Sequence, residues 1–233
     1  MDRLIIPRRY CGPPSSGNGG YSCGVVASAL GGEVEVTLRS PPPLDVPFDV
    51  EPRENGIAVT ARGQRIAEAK RAIVALDAPK PPSFDEATRA AERFPWFHTH
   101  LYPTCFVCGP ARAPGDGLRI HPGAIEGTAI AAAPFVPDAS VVDDDGRLRT
   151  EVAWATLDCP AWFGYQCFNP FDGEILLGRL TARIDALPRL GDRCICAGWS
   201  LGREGRKIHC ASALYAEGGA LLAIARATWI VLQ

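Results

Sequence analysis

The chain repeats itself, and the repeat limits what it can fold into. Val36-Thr37-Leu38-Arg39 matches Leu180-Thr181-Ala182-Arg183, within a longer correspondence between residues 35–62 and 179–206. Each copy continues through a proline-bearing turn, a strand-like segment, a glycine turn and a further strand. In each copy a helix candidate precedes the strands. One helix on four or five antiparallel strands covers a single sheet face. Two such halves that join sheet edges would share a core and protect those edges. The expected fold is α+β, with two halves that each wrap a central helix in an antiparallel sheet. The expected boundaries are a first half over 1–78, a linker with a short helix over 79–104, and a second half over 105–233.

Local signals fill in this plan. Residues 4–10 read as a short strand and 11–21 as a loop ending in Asn18-Gly19-Gly20. The apolar run 21–30 then reads as a buried helix, capped by Asn18 or a glycine and stopped by Gly31-Gly32. Strands are expected over 33–40, 45–53 and 56–62, with Asn55-Gly56 as a hairpin turn. Residues 64–76 are assigned to a last long strand, against the helix preference of their Ala, Glu and Lys. Ser83 and Glu86 form a capping box for a helix over 84–93. In the second half, strands are expected at 117–121, 127–135, 175–184, 193–201, 207–216 and 220–232. A helix is expected over 150–163 with Thr150 as its cap.

Composition narrows the function classes. A net charge of −2 leaves no basic footprint for nucleic acid or an anionic membrane. No apolar run reaches the roughly 18 residues of a membrane span, and the opening MDRLIIPRRY does not read as a signal peptide. The nine cysteines are odd in number and form no disulfide framework. Cys23, Cys159 and Cys167 sit in apolar contexts, where a thiol is commonly a small buried hydrophobe. Reduced thiols in the cytoplasm are the expectation.

Several motifs point to a family. Gly19-Gly20-Tyr21 opens the first helix, and the strand after it runs into Pro41. A strand–turn–strand then carries Arg53-Glu54-Asn55-Gly56 and Thr60-Ala61-Arg62. The second half opens with Cys105-Phe106-Val107-Cys108-Gly109 and then Gly117-Leu118. Over most of its length the chain resembles the single-chain double-hotdog acyl-CoA thioesterases. Its first half looks like acyl-CoA thioesterase II and its second like phenylacetyl-CoA thioesterases. In the latter a His-Gly-Gly begins the helix and a carboxylate follows nine positions after the His. Here Arg149-Thr150-Glu151 replace His-Gly-Gly, while Asp158 keeps the carboxylate. The first half reverses this, with Asn18-Gly19-Gly20 kept and Ala27 in the acid's place. One half retains the glycine helix start and the other retains the acid.

The resemblance implies hydrolysis of an acyl-CoA or similar thioester, the substrate being a small-molecule partner. Asp158 would be base or nucleophile, and the Gly19 and Gly20 N–H groups at the helix start an oxyanion site. The plainer readings are an acid stapling its helix ahead of Pro160, and two glycines in a loop and cap. Asn18 would hold the thioester oxygen or cap the helix. Tyr21, Trp154, Thr156 and Trp162 are the substrate-binding candidates, although aromatics at helical spacing are commonly core. The Gln that acyl-CoA thioesterase II carries on a late strand is replaced near Ala227, with Thr228 beside it. The alternative function is therefore an acyl-CoA- or lipid-binding hotdog without turnover. No His stands at either helix start, which argues against a dehydratase. Cys105 and Cys108, with His98 and His100 upstream, are metal-ligand types, but their spacing is not that of a zinc finger. No metal and no cofactor is assigned, and whether these four hold a metal stays open. Hotdog proteins commonly assemble further, so a homodimer is the implied assembly.

Overall fold

The computed structural model describes residues 4–232. Ten strands form one antiparallel sheet. They are β1 (Val34–Leu38), β2 (Asp49–Arg53), β3 (Gly56–Ala61), β4 (Gln64–Arg71), β5 (Gly123–Ala124), β6 (Ile130–Phe135), β7 (Ile175–Ile184), β8 (Cys194–Glu204), β9 (Lys207–Ala216) and β10 (Leu221–Val231). Their order is β2-β3-β4-β1-β7-β10-β9-β8-β6-β5. The repeated motif is the seam of this sheet. Val36 on β1 pairs antiparallel with Leu180 on β7, and Thr37 with Arg179. Equivalent strands therefore meet edge to edge, and the two half-sheets become one.

Four helices complete the fold: α1 (Gly19–Ala27), α2 (Phe84–Ala91), α3 (Thr150–Thr156) and α4 (Cys159–Gln166). α1 is buried on nearly every side, as its all-round apolar sequence requires. It lies against α3 through its glycines. A Cβ on Gly24 would stand 2.7 Å from the Glu151 Cα, and one on Gly20 would stand 2.5 Å from the Asp158 Cβ. Glycine is needed there for backbone approach rather than for conformation. α2 has the expected capping box, with Ser83 Oγ accepting from Glu86 N–H and Glu86 accepting from Ser83 N–H. It packs against β6 with Ala87 and Ala90 buried, and Ala87 belongs to a second apolar cluster. No helix among the described residues is long and apolar enough to cross a membrane.

The departures from the sequence reading have physical causes. Residues 150–163 are not one helix. Pro160 has no N–H to give to a continuous helix, and its ring would strike the carbonyl four residues back. The chain breaks at Asp158, whose φ/ψ is −79°/−81°, and restarts as α4. Residues 4–10 are not a strand: Leu4 makes one bridge to Phe48, and Arg8–Tyr10 is a single 3-10 turn after Pro7. β2 begins at Asp49 rather than 45, since Asp45 is left-handed at φ 58°. β4 ends at Arg71 rather than 76, and 117–121 is irregular, with the short β5 following it.

Candidate functional site

The break between α3 and α4 puts Asp158 at the junction of the halves. Its carboxylate is 2% exposed. Oδ2 accepts two hydrogen bonds from the first half, from Gly20 N–H at 2.9 Å and from Asn18 Nδ2 at 2.8 Å. Asn18 also caps α1, its Oδ1 accepting from Tyr21 N–H at 2.9 Å. One amide side chain thus starts the helix with its oxygen and clamps the acid with its nitrogen. Oδ1 of Asp158 has no hydrogen-bond partner among the described residues. Burial pushes the carboxyl up to about 7. The Gly20 N–H opposes the rise, nearby Cys105 adds to it, and the Asn18 amide opposes it.

Asp158 lines a cavity of about 250 Å³. The first half contributes Asn18, Gly19 and Leu38, and the second contributes Trp162, Leu177 and Trp229. The walls are largely apolar, and Asn18 and Asp158 are among the polar residues that line them. Gly19 is the first residue of α1, where a helix leaves its N–H groups unsatisfied. Gly19 lines the cavity, whereas Gly20 is buried with its N–H committed to Asp158. The indole N–H groups of Trp162 and Trp229 are buried without partners among the described residues.

Of the residues named from sequence, Asn18, Gly19, Asp158 and Trp162 line this cavity, and Gly20 stands behind it. Three others lie in the core. Tyr21 stacks on Tyr10 with ring centroids 3.9 Å apart and 5° between planes. Trp154 packs against Gly24, and Thr156 Oγ1 bonds back to Ala153 O at 2.7 Å within its own helix. Helical spacing alone does not distinguish a side chain facing the cavity from one facing α1. Ala227 is buried in β10, between Leu180 and Cys210, and supplies no amide.

Sequence reasoning missed part of this wall. Cys159 follows Asp158 and places its sulfur 3.2 Å from Cys108 Sγ and 3.9 Å from Cys105 Sγ. His100 Nε2 lies 3.1 Å from Cys108 Sγ, whereas His98 is exposed. Cys105 is held well below the usual thiol range, first by its hydrogen bond with Cys108 and then by that with Cys159. Burial opposes this, and the Cys108 and Val107 backbone adds to it. Burial holds Cys108 well above that range. The CxxC spacing was readable, but nothing local ties Cys159 to it, because only the packing of α4 brings it there. All nine cysteines are unpaired thiols.

No family model matches this sequence, and no curated protein does. Solved structures match over nearly the whole chain. The tesB protein of Mycobacterium avium subspecies paratuberculosis is 15% identical, with a TM-score of 0.61, covering 99% of this chain and 91% of its own. Acyl-CoA thioesterase II TesB2 of Mycobacterium marinum is 14% identical, with a TM-score of 0.61, covering 99% and 92%. A conserved protein of unknown function with a hot dog fold from Alicyclobacillus acidocaldarius is 13% identical, with a TM-score of 0.60, covering 98% and 91%. At such identities the likeness is one of fold, and by that fold the chain is an α+β double hotdog.

Proposed function

We propose that this protein hydrolyses an acyl-CoA-type thioester in the cavity between its halves. The observation that carries the reading is the state of Asp158. One oxygen is clamped by Gly20 and Asn18, the other is buried without a partner among the described residues, and the residue lines a largely apolar cavity. In this reading the Asp158 carboxylate takes a proton from water as the water attacks the thioester carbonyl. Charge developing on the carbonyl oxygen faces the Gly19 N–H and the positive end of α1. The tetrahedral intermediate expels the thiolate, which recovers the proton from Asp158. One thioester and one water give one acid and one thiol. The cavity is at the small end of ligand sites, which favours a short acyl or aryl-acyl group. The unpaired thiols fit a reducing compartment, in keeping with a cytoplasmic protein.

A second reading, binding without turnover, draws on two observations: the Gly20 N–H is already used by Asp158, and Ala227 supplies no amide. Thiol release from a panel of acyl-CoAs separates the two. Hydrolysis by the wild type should fall about 10²- to 10⁴-fold in Asp158→Asn, the range for removing a positioned base. If the wild type binds acyl-CoA by calorimetry and never releases thiol, the hydrolase reading is wrong and the binding one stands.

A further inference from the structure

We propose that Cys105, Cys108 and Cys159 form a binding site for one thiophilic divalent cation, of which zinc is the type, bracing the junction beside the cavity. The three sulfurs lie within 4.8 Å of one another. Four ligands at a Zn–S distance of about 2.3 Å on a tetrahedron stand roughly 3.8 Å apart. The two separations from Cys159, 3.2 and 3.9 Å, bracket that value, and the Cys105–Cys108 separation is within 4.8 Å, so modest side-chain adjustments close the set. All three side chains are at most 6% exposed.

The Cys105–Cys108 segment is built as a rigid turn. Gly109 closes it, donating its N–H to Cys105 O at 2.9 Å. A Cβ on Gly109 would stand 2.5 Å from both Cys105 O and Pro103 O, so the closing residue must be glycine. The turn is fastened on both flanks, Phe106 N–H donating to Cys11 O and Ile120 N–H to Val107 O. Two sulfurs are thus fixed on one frame, and α4 delivers the third.

Outer partners are also in place. Tyr102 N–H donates to His100 Nδ1 at 3.0 Å, which puts the proton of the neutral ring on Nε2. That N–H faces Cys108 Sγ at 3.1 Å. His100 therefore donates to a ligand sulfur and does not itself bind the cation. Such outer donors orient ligands and tune the metal. The Asn18 amide nitrogen, 3.8 Å from Cys105 Sγ, is a second polar neighbour. Three protein ligands leave a fourth position, and all three cysteines line the cavity, so water can fill it. Binding exchanges the remaining thiol protons for the cation and releases them to solvent. This site departs from the expectation of no metal because Cys159 stands outside any spacing argument. It does not depend on the thioesterase reading.

Elemental analysis of the full chain, purified under reducing conditions without chelator, tests it. The expected result is one zinc per chain, and replacement by Co²⁺ giving an intense thiolate-to-cobalt absorption. Cys159→Ser should lose the bound zinc, while Cys196→Ser, buried elsewhere in the sheet, should keep it. His100→Ala should keep the stoichiometry and weaken affinity about 10- to 100-fold, as loss of an outer partner does. If Cys159→Ser does not fold, the Co²⁺ spectrum of the wild type decides the matter. Wild-type protein that takes up neither Zn²⁺ nor Co²⁺ overturns the proposal, and so does a Cys108–Cys159 disulfide in the native chain.

Discussion

The two halves start their corresponding helices, α1 and α3, in opposite ways. α1 begins at Asn18, whose side chain caps the helix, and two glycines bring its backbone to the acid. α3 begins at Arg149, whose side chain makes no cap. Its guanidinium instead donates to Tyr10 Oη at 2.7 Å. Where the second half has Asp158, the first has Ala27, buried and without an acceptor. The difference teaches that the repeat is kept in the scaffold and not in the residues that reach the cavity. One helix start and one acid converge on the cavity. Their counterparts fill a packed region, with Glu151 against Gly24 and Arg149 on Tyr10.

Substitutions at corresponding positions can break this comparison. The largest effect is expected at Gly20. An added Cβ would meet Asp158 Cβ at 2.5 Å and Trp154 O at 2.8 Å. Gly20→Ala should therefore cost about 1–3 kcal/mol from overpacking, with loss of thiol release. The corresponding Glu151→Ala removes only a long, partly exposed contact with Arg149 and should cost at most about 1 kcal/mol. Thermal unfolding of both variants reads the contrast. Equal destabilisation would mean that the halves are alike here. Next comes Asn18→Ala, which loses a cap worth about 1 kcal/mol and one of the two hydrogen bonds on Oδ2 of Asp158, so kcat should fall. Its counterpart Arg149→Ala should leave kcat unchanged and lower the melting temperature slightly. The smallest effect is expected from Tyr21→Phe. Its ring is in the core rather than at the cavity, so KM should not move; a raised KM would return Tyr21 to the substrate.

Much of the scaffold was legible because its signals are local. Strict boundaries came out for β7 and β9, and the Asn55-Gly56 turn pairs β2 with β3 as read. The capping box at Ser83 was also explicit. The repeat could be seen because the same pattern recurs, and its role as the seam follows from strand edges needing partners. The break at Asp158 was written in Pro160 but overridden by an apolar run that looked continuous. At the site, the meeting of Gly20 with Asp158 was readable only by setting the two halves side by side. The core placement of Tyr21, Trp154 and Thr156 depends on how α1 and α3 face each other. The third cysteine depends on how α4 packs. These are long-range relations that a periodicity does not contain.

The central claim is that the first half's helix start and the second half's acid work as one unit. A double-mutant cycle on thiol release tests it most directly, using wild type, Asn18→Ala, Asp158→Asn and the double variant. Residues that act as a unit are strongly non-additive. The account predicts that the double variant is no slower than Asp158→Asn alone. Two losses that multiply fully in the double variant would contradict it.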